Sequence, residues 1–302
     1  MPSHTPAHTL GPHVVGQRVV VRRVVAGETG PSGGPALTDV LGTCTAWGDG
    51  ICVVEPDGEG PREPVTIRLS DIVSGKPVPP RSSPRLRISP EQAQLRAMTL
   101  FPDLETEPLG AWTLRRSTTH DARRANSVLA MERSGLTDEE AYAAVVDFYT
   151  TRGARPIAAV LRGSEPEALF LARGWEPESG EADTVFELAS VASVARSLAP
   201  SDLAVDLEEK GALVTARVGD VAQGIAALDG DWVGFRSILV APTHRRQGLG
   251  VAIMTALVEA SAERGATTAY LQVLSDNDPA LALYDGLGFV EHHRYRYLAA
   301  PR

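Results

Sequence analysis

Two arginines and two glycines make up the turn His244-Arg245-Arg246-Gln247-Gly248-Leu249-Gly250-Val251. It stands between an apolar strand, Ser237-Ile238-Leu239-Val240-Ala241-Pro242, and a helix beginning near Leu249. Leu249, Ala252, Ile253, Ala256, Leu257 and Ala260 repeat at the spacing of one buried helical face, and Gly265 stands where a C-cap belongs. The first N–H groups of such a helix have no partner within it, and the helix dipole adds partial positive charge there. Gly248 and Gly250 lack a Cβ, so a ligand can approach the backbone closely, and Arg245 and Arg246 supply fixed positive charge. That is the chemistry of a phosphate or pyrophosphate site. The spacing is neither Gly-Lys-Ser/Thr nor Gly-x-Gly-x-x-Gly, so the commoner phosphate loops do not account for it.

Arg245-x-x-Gly248-x-Gly250 behind Ile238-Leu-Val-Ala-Pro242 resembles the acetyl-CoA signature of the GNAT N-acetyltransferases. Further on, Asn277-x-x-Ala280-x-x-Leu283-Tyr284-x-x-x-Gly288-Phe289 resembles the second motif of the same family. The resemblance implies acetyl-CoA as co-substrate. It assigns the backbone of Ile238, Leu239 and Val240 to the acetyl carbonyl and pantetheine amides. Arg245, Arg246, Gln247, Gly248, Leu249, Gly250 and Val251 go to the pyrophosphate, and Asn277 to the pantetheine arm. Tyr284 is assigned as the acid that protonates the departing thiolate, a task suited to a phenol that is neutral at pH 7. An N–H aimed at the carbonyl also stabilises the oxyanion formed during attack. The implied mechanism is direct attack by a neutral amine. No Gly-x-Ser-x-Gly contradicts it, and Cys44 and Cys52 lie far upstream. Many family members carry a glutamate on the strand before the signature, but Trp232-Val-Gly-Phe-Arg-Ser237 has no acid. The base is therefore left among Asp231, His292, His293 and a water chain. The rival reading is a non-catalytic acyl-CoA-binding sensor or scaffold, against which an intact Tyr284 tells.

The whole layout resembles actinobacterial GNAT proteins labelled as N-acetylglutamate synthases, which implies a small-molecule primary amine, such as the α-amine of glutamate, as acceptor. Arg124, Asn126 and Ser127 are candidates for shaping that side of the site, with Asp231 and Arg236 beside them.

The elements that must position these groups spread over 302 residues, room for two to three domains. With 43% apolar and 22% charged residues the composition is that of a globular protein, and no apolar run is long enough to span a bilayer. A net charge of −9 argues against nucleic acid as a partner. The cysteine spacing fits neither a disulfide framework nor a zinc site, so no metal is expected, and a reducing cytoplasm is the expected location. A homodimer is an open expectation.

The expected fold class is α+β, a GNAT acetyltransferase fold with a mixed sheet flanked by helices, preceded by a degenerate GNAT-like half and an N-terminal SH3-like β-barrel. Residues 1–9 read as a flexible tail. Residues 10–78 read as the barrel, from β-branched runs at Val14–Val25 and a hairpin turning at Gly48-Asp49-Gly50. Residues 79–108 read as a Pro-rich linker and a helix, Pro90–Leu100, and the linker is seen to begin at Lys76. A diverged repeat underlies the rest: helix, Gly153, strand, helix, Gly174-Trp175 matches helix, Gly265, strand, helix, Gly288-Phe289. It predicts a degenerate unit over 109–200 and a catalytic unit over 201–302. The first copy has Thr119–Ser127, without glycine, upstream of its helix and Phe170 opposite Tyr284, so it is expected neither to bind acetyl-CoA nor to catalyse.

Overall fold

The computed structural model describes residues 10–29, 33–57, 63–78, 84–199 and 201–301. The expected tail at 1–9 lies outside them, as do linker residues 79–83. The chain divides into two compact units, 1–83 and 84–302.

In the first unit the β-branched runs become strands β1 (Arg18–Thr29), β2 (Pro35–Gly48), β3 (Ile51–Pro56), β4 (Val65–Arg68) and β5 (Ile72–Pro77). The hairpin forms where the sequence places it. Gly48 pairs with Ile51, and Asp49 and Gly50 both take positive φ, the geometry whose twist suits a two-residue turn. Alternate residues Val19, Val21, Val40, Cys44, Cys52, Val54 and Ile67 build the core. The strands pair in the order β4-β3-β2-β1-β5, and among the described residues β4 and β5 do not join. Among the described residues the sheet is open, so the expected SH3-like barrel is not confirmed. Strand β5 also runs on through Lys76 and Pro77, so the linker begins later than the prolines suggest.

The second unit opens with α1 (Pro90–Arg96), set by Pro at its first turn and a Ser89/Gln92 capping box; a 3-10 turn, Ala97–Leu100, completes the predicted helical stretch. Then come β6 (Glu105–Leu109), β7 (Trp112–Arg116), β8 (Val128–Ala130), α2 (Asp138–Thr150), β9 (Ile157–Leu161), α3 (Glu165–Ala172), β10 (Glu176–Glu181), β11 (Thr184–Ser190) and α4 (Val191–Ser197). The remainder is β12 (Asp206–Lys210), β13 (Leu213–Val218), β14 (Ala222–Asp229), β15 (Trp232–Val240), α5 (Leu249–Glu263), β16 (Thr268–Leu274), α6 (Asp278–Gly286) and β17 (Val290–Ala299).

All these strands form one 12-stranded mixed sheet, ordered β12-β13-β14-β15-β16-β11-β17-β9-β8-β7-β6, with β10 on β17. It contains two parallel pairs, β8 with β9 and β15 with β16, each joined through a helix, α2 or α5. The strands following those pairs are exchanged. β11 lies beside β16, and β17 lies beside β9, so each strand belongs in space to the parallel pair of the other half of the sequence. The residues of β11 alternate between faces. Val185 and Ala189 enter the core beneath α4 and α5, whereas Phe186 and Leu188 enter the core beneath α1 with Ala93, Ala97, Trp232 and Tyr270.

Candidate active site

Strand β15 is held by β14 along its length but by β16 only at Trp232–Gly234, which pair with Thr268–Tyr270. Gly234 is required at that junction, because the Tyr270 ring occupies the space of a Cβ. Beyond it the parallel strands splay, and the β15 stretch containing Ile238, Leu239 and Val240 is free of strand pairing on that side among the described residues. Ser237 takes φ 54, and the register with β14 slips between Ile225–Arg236 and Gln223–Leu239. This is a β-bulge, a device that re-aims the strand locally. The sequence shows nothing special at Ser237. Ile238 and Val240 pack against the core of α5, while Leu239 is 56% exposed.

After the C-terminal end of β15, Arg246 (φ 61) and Gly248 (φ 78) take left-handed conformations, which turn successive N–H groups toward one side of the loop. Gly248 is the N-cap of α5 and no side chain caps it, so the first N–H groups of a 15-residue helix are left to solvent or a ligand. Arg245, Arg246 and Gln247 are exposed around it; Arg245 Nε reaches back to the Val240 carbonyl at 3.4 Å. Leu249 is buried and anchors the helix, Gly250 and Val251 are half-buried, and no Cβ contact closes on Gly248. The residues fit a pyrophosphate.

Asn277 follows β16 and caps α6: its Oδ1 accepts from Ala280 N at 3.4 Å. One turn further, Tyr284 leans on Phe289 at 5.8 Å between ring centres. Its phenol is pushed up by burial first and by the Glu187 carboxylate second, while the Arg124 guanidinium pulls it down. Tyr284 of the second half and Arg124 of the first thus lie within electrostatic reach of each other. Among the described residues Arg124 makes no hydrogen bond or ion pair, although it is half-buried. Arg236, whose Nε donates to the Leu100 carbonyl at 2.9 Å, is pulled down by burial and then by Arg124. Two guanidiniums without a carboxylate bonded to either make an anion-seeking patch.

Other expected residues are not part of it. Asn126 is fully engaged in its own loop, accepting from Ser117 N and donating to the His120 and Ala122 carbonyls. Ser127 is buried and accepts from Arg115 Nη2. Asp231 sits at the opposite end of β15 from the bulge, where it accepts from Thr267 and Thr268 and closes the start of the parallel pair. Both ring nitrogens of His292 and of His293 have partners. Gln94 lies 3.0 Å from His293 Nε2, the two Nδ1 atoms are 2.7 Å apart, and His292 Nε2 lies 3.0 Å from the Ile88 carbonyl. Burial drives His293 down to about 3, so it is held neutral as part of the packing under α1.

Because β8 is Val128–Ala130, the counterpart of the phosphate-binding turn is 131–137, not Thr119–Ser127, and it does contain a glycine, Gly135 (φ 83), and Arg133. It differs at the helix. Thr137 and Glu140 close the α2 N-terminus in a capping box, and Asp138, Glu139 and Glu140 fill its first turn with negative charge. Phe170, opposite Tyr284, is packed between Trp112 and Trp175. A cavity of about 720 Å³ lies there, crossed by the Arg133–Glu165 ion pair.

A family profile described as "Probable histone acetyltransferase Rv0428c C-terminal" matches residues 91–298, about two thirds of the sequence. The chain belongs to this acetyltransferase family. A GCN5-related N-acetyltransferase from Kribbella flavida superposes with a TM-score of 0.55 at 16% identity, over 74% of this chain and 97% of that one. A functionally unknown conserved protein from Staphylococcus epidermidis does so at 0.51 and 8%, over 71% and 98%. These likenesses give the GNAT fold to the second unit. Among curated relatives, the ribosomal protein bS18-alanine N-acetyltransferase of Escherichia coli (strain K12) is 44% identical over 55 residues, 18% of this chain and 37% of the relative. The uncharacterized N-acetyltransferase YobR of Bacillus subtilis is 35% identical over 74 residues, 24% and 30%. The match to this GNAT chain thus spans little more than a third of the first relative's length. Among the described residues no helix is long and apolar enough to cross a membrane, and no cluster of metal-ligating side chains occurs.

Proposed function

We propose that the protein transfers the acetyl group of acetyl-CoA to the primary amine of a small molecule that also carries a carboxylate, an α-amino acid such as glutamate being the simplest. The observation that carries the acceptor class is Arg124, half-buried, without a hydrogen bond or ion pair among the described residues, and within electrostatic reach of Tyr284 and Arg236. A carboxylate bound there would bring its own α-amine toward the phenol. The relative named for acting on ribosomal protein bS18 alanine makes a protein α-amine the second acceptor to try.

Acetyl-CoA enters as a substrate and supplies an activated acetyl thioester. Arg245, Arg246 and the N–H groups from Gln247 to Val251 would hold its pyrophosphate. The free edge of β15 at Ile238–Val240 would receive the pantetheine arm and polarise the acetyl carbonyl through an N–H. Asn277 holds the N-terminus of α6, which sets the position of Tyr284. Tyr284, protonated at neutral pH, would give its proton to the leaving sulfur. We read 109–200 as a half that no longer takes the co-substrate, because acidic residues and a capping box occupy its helix N-terminus. The buried thiols Cys44 and Cys52, 3.8 Å apart and unbridged, suit the cytoplasm.

Thiol release from acetyl-CoA with a panel of amino acids, peptides and polyamines tests this reading. Wild type should turn over at least one carboxylate-bearing amine, and Tyr284→Phe should lose roughly 100-fold in kcat with binding of acetyl-CoA retained. Binding without turnover of any amine would instead mark a sensor.

A further inference from the structure

We infer that Glu187, on the exchanged strand β11, is the group that takes the proton from the acceptor amine. This rests on the functional reading above and supplies the base that Trp232–Ser237 lacks.

Glu187 stands mid-strand among apolar residues, between Leu271 on β16 and Glu291 on β17. It is 6% exposed, and among the described residues its Oε2 has no hydrogen-bond partner, the condition of a buried acceptor waiting for a donor. A bare buried carboxylate oxygen is costly, and a purely structural position would be filled by another Val or Leu. The register of β11 against β17 slips between Phe186 and Glu187, which re-aims the side chain at this point. The side chain shares the face of Val185 and Ala189, the face on which α5 and α6 pack and from which Tyr284 descends. It lies close enough to raise the Tyr284 phenol directly.

The groups acting on Glu187 are Glu291 and Arg294 of β17 and Asp285 of α6, besides Tyr284 itself. Glu291 is paired with Arg294 at 2.7 Å. Burial first, then Glu291 and Asp285, push its carboxyl up to about 7, against a downward pull from Arg294. A base with that affinity is half-ionised at neutral pH and strong enough to accept from an ammonium being desolvated.

The protons balance as follows. Glu187 takes one proton from the ammonium and passes it to water. The neutral nitrogen bonds to the acetyl carbon as the carbon–sulfur bond breaks. Tyr284 gives its proton to sulfur and recovers one from the nitrogen, leaving amide, thiol and one released proton.

The test is the pH dependence of kcat/KM for the full chain, wild type against Glu187→Gln and Glu187→Asp, with the best amine of the panel. Wild type should show an ionisation near 7 on its rising limb. Glu187→Gln should lose that limb and about 100-fold in rate at neutral pH, its remaining rate climbing with hydroxide, while its affinity for acetyl-CoA stays within about threefold. Glu187→Asp, which keeps a carboxyl, should recover part of the rate with the limb displaced. An unchanged limb in Glu187→Gln overturns the role of Glu187 and leaves the acetyltransferase reading standing. Wild type inert toward every amine overturns that reading and this one with it. A structural role alone would lower both variants equally without moving the limb.

Discussion

At the scale of single residues, two unpartnered groups set Glu187 and Arg124 apart from ordinary polar residues of the fold. Asn126, Ser127, Asp231 and His293 are polar and well placed in sequence, but each is saturated by neighbours. Glu187 and Arg124 keep unused capacity, which stability alone would not select. The raised carboxyl of Glu187 has a consequence for stability. Its folded value, about 7, exceeds the ordinary 4.5, so between those pH values the folded protein holds a proton that the unfolded chain releases. This group's contribution is complete below about 4.5 and is lost as pH rises through 7. Glu187→Gln, neutral throughout, should therefore match wild type in melting temperature near pH 4.5 and exceed it above pH 7, by about 1–3 kcal/mol in urea titrations. A variant that is more stable and less active is what a catalytic carboxyl predicts; lower stability at high pH would contradict it.

At the scale of elements, the contrast between two helix N-termini separates the halves. Helices α2 and α5 both follow a strand, a glycine-containing turn and an arginine. One is closed by Thr137, Glu140 and two further acids, the other is left open at Gly248. Because nothing lies within reach of a Cβ at Gly248, Gly248→Glu should fold, with at most a small drop in melting temperature from its positive φ. Its carboxylate would stand among the open N–H groups, so acetyl-CoA affinity should fall at least ~10-fold by calorimetric titration. Unchanged affinity would remove the pyrophosphate from this turn.

At the scale of the molecule, exchange of β11 and β17 makes the repeat one object. Residues 201–302 alone would lack β11, leaving β16 and β17 with bare edges in mid-sheet and the core beneath α4 and α5 open. That fragment should show no cooperative unfolding by circular dichroism, and co-expression with residues 84–200 should restore it. Autonomous folding of the fragment would mean that the shared sheet is not required. The exchange also means that the proposed base comes from the first half of the sequence, whose helix N-terminus is capped.

Much was legible in the chain because it depends on local periodicity. The turn at Arg245–Gly250, the helix behind it, the hairpin at Asp49-Gly50 and the Tyr284 helix are all fixed by neighbours within a few residues, and each appears where its pattern puts it. The SH3-like barrel is not confirmed, because closure and strand order are long-range properties that alternation does not encode. The glycine-free counterpart at Thr119–Ser127 failed because β8 has only three residues, too few to show a period. Glu187 gave one local signal, a lone acid in Thr-Val-Phe-Glu-Leu-Ala-Ser, but its meaning depends on what lies beside β11. The sequence by itself determined the uncapped turn at Arg245–Gly250 with the helix behind it, and the Asn277-capped helix that carries Tyr284, since both are products of adjacent residues. Only the tertiary structure decided that a strand from the other half carries a buried carboxyl into electrostatic reach of Tyr284, because pairing between distant strands is settled by the whole sheet.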